Sequence, residues 1–475
     1  MTKSPLFCHN SKCARQVILS RANFPPVFWF LGVPKLFLDF KETIMSQTNR
    51  RNFLKTSGII AGTAAATGFV ARSAHAEGSD KIKAVLIGCG GRGKGAASDF
   101  LQNENTEVIA VADAFEDNAK GAANQFKIAE DKVFWGFDAY RKVLAIAEAQ
   151  YVIIATPPGF RPIHFKAAIE AGKNVFMEKP CCVDAPGFNM LIEAAKMADA
   201  KGLKVGVGLQ RHHQQSYING INEIIDGKYG DILYTRVYWN GGGVWVRGRQ
   251  PQWTEMEYQM RNWYYFNWLC GDNICEQHVH NIDIGNWVMT VTDPNADMFE
   301  KYAHPVEVNA MGGREVRKNN PNFGEIFDHH FCEFTYADGR KMFSQCRHQP
   351  NTWNSVSEAA HGTKGYGGVS SRGGGRGPYQ QEHTDLIAAI KSGAKYNEAY
   401  LGAYSSMTAV IGRMASYSGK TIKWDDAVKN GKADMIYEGH DQLTMQSEAP
   451  VKPLDAPTAA GEGYAIAVPG VWMPW

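Results

Sequence analysis

The sequence predicts an α/β fold: an N-terminal, doubly wound parallel sheet followed by an α+β domain with an open, largely antiparallel sheet. Three observations lead to this prediction. A buried strand runs into a glycine-rich turn at 81–93, strand and helix patterns alternate from there to about Gly208, and aromatic residues become dense beyond it. Alternating strands and helices are typical of parallel sheets, because each helix returns the chain to the same edge. A chain of 475 residues is long enough for two such domains.

Residues 45–76 resemble a twin-arginine export signal. Two arginines at 50–51 precede a weakly apolar run at 57–71, and an A-x-A cleavage pattern follows at 74–76. We expect translation to start at the methionine that opens this segment, with residues 1–44 as an upstream extension. The resemblance implies a periplasmic protein that is exported in folded form. The alternative is a cytosolic N-terminal helix that carries two arginines.

The segment 80–208 alternates strands with helices. Strands are predicted at 82–87, 107–112, 151–155, 174–177 and 203–207, and helices near 94–102, 116–127, 139–148, 162–171 and 186–201. The strands are runs of apolar and β-branched residues, which is typical of parallel strands covered by helices on both faces. This order is that of a Rossmann domain, in which ligands bind at the carboxyl ends of the strands.

A glycine-rich turn follows the first of these strands. Gly88, Gly90 and Gly93 fit the spacing G-x-G-x-x-G, directly after a strand and directly before a helix. In this context one glycine makes the tight turn, one lets the backbone approach a pyrophosphate, and one lets helix and strand pack closely. The turn therefore predicts a dinucleotide site, although an ordinary strand-turn-helix without a ligand is the alternative. The other residues of the turn are expected to contact the cofactor too: Cys89, Gly91 and Arg92.

Asp113 ends the second predicted strand, near the spacing of about 20 residues at which dinucleotide sites place an acid. A carboxylate there can accept both hydroxyls of the adenosine ribose and would repel a 2′-phosphate. NAD is therefore the expected cofactor rather than NADP. Thr156, Pro157, Glu178 and Lys179 follow later strands at their carboxyl ends, and we expect them to line the same site.

The sequence GCGGRG (88–93), followed by ATPPGFRPIHFKAAIEAGKNVFMEKP (155–180), resembles the family of glucose–fructose oxidoreductase and inositol 2-dehydrogenase (Gfo/Idh/MocA). In that family the lysine of the E-K-P motif faces the nicotinamide and the substrate hydroxyl, which implies the same role for Lys179. A partly desolvated lysine beside a positive ring loses its proton more easily, so it can take part in proton transfer. The alternative is a surface lysine before a turn proline.

Strands replace helices in the segment 209–440. They are predicted at 231–239, 306–311, 327–335 and 340–347, with Ala337-Asp338-Gly339 joining the last two as a hairpin. We expect an antiparallel sheet with one face toward the site. The family resemblance implies that the other face forms a homo-oligomer interface. Residues 441–475 are predicted to be an extended C-terminal tail.

One short segment carries the candidate catalytic residues. Glu276, His280, Asp283 and Trp287 recur at the spacing of one helix face. The corresponding stretch of the family commonly has the pattern D-x-x-x-H-x-x-D, in which the Asp and the His bind and deprotonate the substrate hydroxyl. This chain has Glu276 in place of the first Asp. The resemblance implies that His280 is the general base, that Lys179 and Glu276 orient the hydroxyl, and that Asp283 orients His280 or binds a neighbouring hydroxyl.

Other interpretations of this segment stay open. Cys275, Glu276, His278 and His280 could hold a metal, but two histidines two positions apart do not share a helix face, and no metal is expected. His278 could equally be a histidine satisfied by its neighbours. The side chains that could bind a polyhydroxylated substrate, unless they are core aromatics and surface arginines, are Arg211, His278, Arg261 and Trp263.

Together these features predict an NAD-dependent oxidoreductase that transfers a hydride between a sugar or cyclitol hydroxyl and nicotinamide. Two alternatives stay open: an NAD-dependent, redox-cycling glycoside hydrolase of the same family, and a non-catalytic protein that retains NAD and binds a sugar. The formal charge of +2 gives no reason to expect nucleic acid as a partner. After removal of the signal no membrane contact is expected, because no apolar run reaches about 18 residues.

Overall fold

A computed structural model describes residues 81–318, 320–455 and 463–475. The predicted upstream extension and the predicted export signal lie outside the described residues. Within the described ranges, no helix combines the length and the apolar character that a membrane crossing requires.

The first half of the described chain forms a parallel sheet of six strands in the order β3-β2-β1-β4-β5-β6. The strands are β1 (Ile82–Ile87), β2 (Thr106–Asp113), β3 (Val133–Trp135), β4 (Tyr151–Ile154), β5 (Asn174–Met177) and β6 (Val205–Val207). The helices between them are α1 (Gly91–Leu101), α2 (Glu116–Phe126), α3 (Ala139–Leu144), α4 (Arg161–Glu170) and α5 (Ala185–Ala200). The strand order reverses beside β1, as it does in doubly wound sheets, which confirms the predicted fold class for this half.

The strands of this sheet are buried on both faces. In β1, Val85 and Ile87 belong to the larger apolar core, whereas Ala84 and Leu86 point the other way into a second core cluster. All of them are at most 2% exposed. This explains why the strand is a continuous apolar run rather than an alternating one.

The second half forms a seven-stranded sheet in the order β12-β11-β7-β10-β9-β8-β13. The strands are β7 (Ile232–Gly241), β8 (Pro305–Gly313), β9 (His329–Tyr336), β10 (Lys341–His348), β11 (Ser355–Gly362), β12 (Gly365–Gly368) and β13 (Ile422–Lys423). Neighbouring strands are antiparallel except β7 and β10, which run parallel. The largely antiparallel sheet is thus confirmed, and the predicted turn at 337–339 joins β9 to β10 as a hairpin.

Helices of the second half connect the two sheets. They are α6 (Gln215–Ile225), α7 (Glu255–Arg261), α8 (Asn267–Cys270), α9 (Asp272–Glu276), α10 (Val279–Val291), α11 (Pro378–Ser392), α12 (Ala399–Ser418) and α13 (Trp424–Asn430). The long helix α12 packs against β8 of the second sheet and against α5 of the first half, and α11 returns to pack against α1 and β6. The C-terminal helices therefore fix the position of one half relative to the other.

Several buried histidines make the fold sensitive to acid. His164, His278, His348 and His383 are all buried, and desolvation by burial lowers the pKa of each imidazole from 6.5 to about 3. Below pH 6.5 the unfolded chain binds protons that the folded chain does not bind. The stability that these neutral histidines contribute is therefore complete above their unfolded pKa and is lost as the pH falls toward their folded pKa.

We expect the free energy of unfolding to fall by on the order of 1 kcal/mol per pH unit for each of these histidines below their unfolded pKa. Urea unfolding followed from neutral pH downward measures this slope. His383 stacks on Phe176 with ring centroids 4.1 Å apart, so His383→Phe keeps an aromatic ring in place and should make the slope shallower. An equal slope in the variant and the wild type would contradict the assignment.

Candidate functional site

A cleft of about 710 Å³ lies where the carboxyl ends of the central strands of the parallel sheet face residues 244–280 of the second half. Its lining includes the glycine-rich turn, the residues after β2, β4 and β5, and side chains of α7, α9 and α10. Parallel α/β sheets bind their ligands at this edge. A ligand-binding residue of this fold is therefore expected to line this cleft.

Close approaches of the backbone shape the glycine-rich turn. Gly88 has a φ of 95°, and a Cβ there would lie 2.6 Å from the backbone nitrogen of Thr156. A Cβ on Gly93 would lie 1.8 Å from the carbonyl oxygen of Gly88. By contrast, a Cβ on Gly90 or Gly91 would meet nothing within 4 Å. The fold itself thus requires Gly88 and Gly93, whereas Gly90 and Gly91 leave open space on the cleft side.

The helix after the turn presents its N-terminus to the cleft. Helix α1 begins at Gly91, has no side-chain cap and has no acidic residue in its first turn. Arg92 and Lys94 line the cleft beside it. The first N–H groups of the helix are therefore free to bind an anion, and the helix dipole favours a negative charge there. The pyrophosphate of a dinucleotide fits these donors and this positive charge.

Asp113 ends β2 on the lining of the cleft. One carboxylate oxygen accepts the backbone N–H of Cys89 at 2.7 Å, and the other accepts the N–H of Phe115 at 2.9 Å and the side-chain amide of Asn118 at 3.2 Å. Burial raises the pKa of this carboxyl, and the hydrogen bonds oppose that rise. A carboxylate can accept about four hydrogen bonds, so Asp113 can fix the turn and still accept a ribose hydroxyl.

Two residues of the turn lie beneath the cleft and not on its surface. Gly88 is absent from the lining, and so is Cys89, whose buried thiol donates to the carbonyl of Ala112 at 3.4 Å. Cys89 therefore holds Asp113 through its backbone N–H, and its thiol faces away from the cleft, so any contact that it makes with the cofactor would come from its backbone. The turn residues that do line the cleft are Gly90, Gly91, Arg92 and Gly93.

A matched pair of glycine substitutions separates cofactor binding from folding. Gly90 has an extended backbone that alanine can adopt, so Gly90→Ala should keep the free energy of unfolding within about 0.5 kcal/mol of wild type. The added methyl fills the open space before α1, and we expect the Kd for NAD to rise at least about tenfold. Calorimetric titration with NAD and urea unfolding measure the two effects.

The second variant, Gly93→Ala, should lower the free energy of unfolding, because its Cβ collides with the backbone inside the turn. We expect a loss of stability even without cofactor. If Gly90→Ala bound NAD as tightly as wild type, the open space before the helix would not be the phosphate cradle.

Residues after β4 and β5 complete this side of the cleft. Thr156, Pro157 and Glu178 line it. The hydroxyl of Thr156 lies 3.1 Å from Nδ1 of His164, and the carboxylate of Glu178 accepts Nε–H of Arg92 at 2.5 Å. The ion pair between Arg92 and Glu178 ties the first turn of α1 to the end of β5, next to Lys179.

Lys179, Glu276 and His280 come together in the cleft. The ammonium of Lys179 donates to the backbone carbonyl of Glu276 at 2.5 Å and lies 3.4 Å from its carboxylate. His280 is 8% exposed, and among the described residues its Nδ1 has no hydrogen-bond partner. Desolvation, followed by the positive charges of Lys179 and Arg211, lowers its pKa well below 6.5. The imidazole is therefore neutral at physiological pH and able to accept a proton.

The helix that was predicted to carry Glu276 and His280 together is interrupted between them. Glu276 is the last residue of α9, and His280 is the second residue of α10. The carbonyl of Asn273 accepts the N–H groups of both Gln277 and His278, each at 3.1 Å, which breaks the regular hydrogen-bond ladder. The prediction of one continuous helical stripe is wrong, although both side chains still reach the cleft.

Asp283 lies in the core behind the cleft and not beside His280. Its carboxylate lies 2.8 Å from Nε2 of His212, and it accepts the hydroxyls of Tyr302 at 3.1 Å and Ser405 at 2.8 Å. Asp283 is 1% exposed and absent from the cleft lining. Because three partners from distant segments hold it there, the expected contact with His280 or with substrate is not formed.

Two predicted substrate-binding residues also lie outside the cleft. Arg211 is buried and donates to the carboxylate of Glu358 at 2.5 Å. His278 is fully buried, with Nε2 at 2.8 Å from the hydroxyl of Ser344, so the interpretation as a histidine held by its neighbours applies to it. Among residues 81–318, 320–455 and 463–475, no group of three or more His, Cys, Asp or Glu is placed to bind a metal.

Arg261 and Trp263 both line the cleft, as predicted for substrate-binding residues. The guanidinium of Arg261 lies 4.0 Å from the ring centroid of Phe115 and 3.1 Å from the carboxylate of Asp117, so it stands over the end of β2. In the sheet, β2 is three strands away from β5, or roughly 14 Å. Arg261 therefore faces the adenosine side, opposite to its expected place near Lys179.

Some lining residues were not predicted from the sequence. Phe137 and Tyr140 follow the short strand β3 and enclose the end of the cleft near Asp113. Tyr379 comes from the start of α11, with the guanidinium of Arg92 4.7 Å from its ring centroid. Recognition of β3 as a strand would have pointed to Phe137 and Tyr140, because strand ends collect at this edge. Trp245 and Arg247 lie in a segment without helix or strand and gave no periodic signal.

Residues 82–209 match the sequence model of GFO_IDH_MocA, described as oxidoreductase family, NAD-binding Rossmann fold. Oxidoreductase P35 of Formosa agariphila is 31% identical over 33% of this chain and 47% of that protein. Inositol 2-dehydrogenase of Gluconacetobacter diazotrophicus is 34% identical over 26% of this chain and 36% of that protein. Glycosyl hydrolase family 109 protein 2 of Shewanella sp. (strain ANA-3) is 25% identical over 46% of this chain and 50% of that protein. The chain therefore spans half or less of the length of each of these three relatives.

Solved structures share the fold over almost three quarters of this chain. Scyllo-inositol dehydrogenase from Lactobacillus casei, with bound NAD(H) and scyllo-inositol, superposes with a TM-score of 0.56 at 17% identity, covering 73% of this chain and 100% of that one. Aldose-aldose oxidoreductase from Caulobacter crescentus gives 0.55 at 15% identity, covering 72% and 99%. At these identities the likeness establishes the fold. Together with the family match and the geometry of the turn, it identifies an NAD-binding Rossmann domain, and NAD as the cofactor.

Proposed function

We propose that this chain, whose first half is the NAD-binding domain of an oxidoreductase family, oxidises a hydroxyl of a sugar or a cyclitol. The observation that carries the proposal is the convergence of Lys179, Glu276 and His280 in the cleft that also contains the phosphate cradle. An ammonium, a carboxylate and a neutral imidazole are the groups that bind a hydroxyl and remove its proton. The relatives and similar structures that act on inositols and aldoses support this substrate class.

In this proposal His280 is the general base. Its neutral imidazole accepts the proton of the substrate hydroxyl, and its low pKa keeps it ready to do so at neutral pH. Lys179 donates a hydrogen bond to the same oxygen, and Glu276 holds the lysine in place through its backbone carbonyl and its carboxylate. When bound, NAD supplies the acceptor for the hydride.

A redox-cycling glycoside hydrolase is the second candidate. It is favoured by the similarity to glycosyl hydrolase family 109 protein 2 over 46% of this chain. Such an enzyme would use the same base and the same lysine, but it would return NAD to its starting oxidation state in every turnover. The two candidates therefore differ in net NADH and not in the residues of the site.

The deciding experiment follows NADH absorbance and aglycone release in parallel, using protein that begins at Glu77. The substrates are glucose, galactose, myo-inositol and their nitrophenyl glycosides where these exist. NADH formation that depends on substrate supports the dehydrogenase. Aglycone release without net NADH supports the hydrolase. If neither occurs while NAD and sugar both bind, the non-catalytic alternative replaces both.

We also propose export and self-association. The twin-arginine pattern at 45–76 supports a periplasmic location, and replacing both arginines at 50–51 by lysine should retain the protein in the cytoplasm. The face of the second sheet turned away from the cleft carries exposed apolar side chains, Met311 and Tyr366 among them at 71% and 70% exposure, which supports an oligomer through this face. Light scattering should show Met311→Glu smaller than wild type, and a monomeric wild type would refute the oligomer.

A further inference from the structure

Aromatic side chains gather at the mouth of the cleft, on the side of Glu276. We call Trp245, Trp263 and Tyr264, together with Arg247, the mouth cluster. The ring centroid of Trp245 lies 5.7 Å from that of Trp263 and 6.0 Å from that of Tyr264, and the guanidinium of Arg247 lies 5.4 Å from the ring of Trp245. All four residues line the cleft.

Trp245 does not behave as a core residue. It is 43% exposed, and it stands in the segment 242–254, which connects β7 to α7 without helix or strand. A tryptophan of this exposure leaves a large apolar face in water. Long connections without regular structure that border a cleft are commonly binding loops. The position of this ring is therefore that of a contact surface for a ligand.

Tyr264 links the mouth cluster to the catalytic groups. It is 2% exposed and lines the cleft, and its hydroxyl lies toward the carboxylate of Glu276 without a well-formed hydrogen bond to any described residue. Burial, and then the charge of Glu276, raise the pKa of this phenol, so it stays a donor at neutral pH. A buried donor without a partner is costly unless a ligand completes it. The cleft thus offers an open polar contact one aromatic ring away from Trp245.

The cofactor does not account for these groups. The phosphate cradle lies at α1, and the adenosine side lies at the end of β2, where Arg261 covers Phe115. The four residues of the mouth cluster come entirely from the second half of the chain. Among the described residues, the ring of Trp245 contacts Trp263, Tyr264, Tyr265 and Arg247, and no ring contact joins it to Lys179 or His280.

We propose that the mouth cluster is a subsite for a second sugar ring, so that the substrate is a glycoside or an oligosaccharide and not a free monosaccharide or cyclitol. This inference rests on the proposed function for the ring that reacts. The face of Trp245 covers the apolar C–H face of the second ring, while Tyr264 and Arg247 donate to its hydroxyls or to the linking oxygen. The exposed loop leaves room for further units toward solvent.

The test compares Trp245→Ala, Trp245→Phe and wild type on glucose against cellobiose and on galactose against lactose. We expect wild type to have the higher kcat/KM on the disaccharide of each productive pair. Trp245→Ala should lower that value about tenfold through KM and leave the monosaccharide value unchanged. Trp245→Phe, which keeps an aromatic face, should restore most of the loss. Trp135→Ala is the matched control, because Trp135 is 45% exposed outside the cleft.

Calorimetric binding of the same disaccharides to the NAD-loaded protein separates this inference from the proposed function. If wild type binds the disaccharides and Trp245→Ala binds them more weakly, but neither protein turns them over, the subsite is supported while the proposed function fails. A different result would overturn the subsite while the proposed function stands. In that case the kcat/KM on a disaccharide is no higher than on its monosaccharide, and Trp245→Ala has the same values as wild type. Equal losses on both members of a pair would also overturn it, because they would place Trp245 at the reacting ring.

Discussion

Lys179→Met is expected to lower kcat about a thousandfold, within the range that positioned acid–base groups contribute, and to leave the Kd for NAD nearly unchanged. The lysine comes from the Rossmann side and reaches Glu276, beside which we propose that the reacting hydroxyl binds. The phosphate cradle and Asp113 do not depend on it. Initial rates at saturating substrate and titration with NAD measure the two quantities.

Lys142→Met serves as the control for this substitution. Lys142 is an exposed lysine of α3, paired with Asp138 across one helical turn and absent from the cleft. Its replacement removes the same charge without touching the site and should keep wild-type kcat. Full activity in Lys179→Met would falsify the assignment of the lysine, and a parallel loss of NAD binding would move its role from catalysis to the cofactor.

His280→Asn is expected to lower kcat/KM by about a hundredfold to ten-thousandfold and to change the pH profile. In wild type, burial and the charges of Lys179 and Arg211 lower the pKa of His280 well below 6.5. The base form therefore persists as the pH falls through 6.5, and activity is lost only when the pH passes below the lowered pKa. The acid limb of kcat/KM should accordingly lie below the ordinary histidine range, and the variant should lack it.

His212→Asn is a useful comparison, because the side chain of His212 is 7% exposed and lies 2.8 Å from the carboxylate of Asp283, outside the cleft. It should retain the acid limb of wild type even if its stability falls. An acid limb that sits at the ordinary histidine pKa, or one that survives unchanged in His280→Asn, would assign proton removal to another group.

The sequence predicts those strands whose residues are apolar throughout, because such a run indicates a strand that is buried on both faces. Ala84 to Ile87 and Tyr151 to Ile154 are apolar without interruption, since both faces of the parallel sheet are covered. Strand β12, Gly365–Gly368, consists of three glycines and a tyrosine, and β11 contains Ser355, Ser357 and Glu358. β12 at the edge and β11 beside it pair because a neighbouring strand is available, so their sequences alone do not predict them.

The site residues likewise differ in whether a local sequence pattern predicts their position. Lys179 and the glycines follow from local motifs, and the spacing of Glu276 and His280 brought both to the cleft although the helix between them breaks. Asp283 has the same spacing signal, but its partners Tyr302 and Ser405 come from segments that no local pattern connects to it. Whether a polar residue faces a cleft or a buried network is decided by tertiary packing, which periodicity does not contain.

The parallel pairing of β7 with β10 has a consequence for how the chain acquires its site. Strand β7 pairs with β10 on one side and with β11 on the other, and residues 242–340 lie between β7 and β10, the partner nearer in sequence. The loop of residues 242–340 must close before β7 and β10 can form hydrogen bonds, which is entropically costly. Contacts between residues so far apart in sequence also slow folding. The excursion contains Trp245, Glu276 and His280, so a nascent or truncated chain that lacks β10 has no assembled cleft. We therefore expect the cleft to assemble only after β10 (Lys341–His348) has joined the sheet.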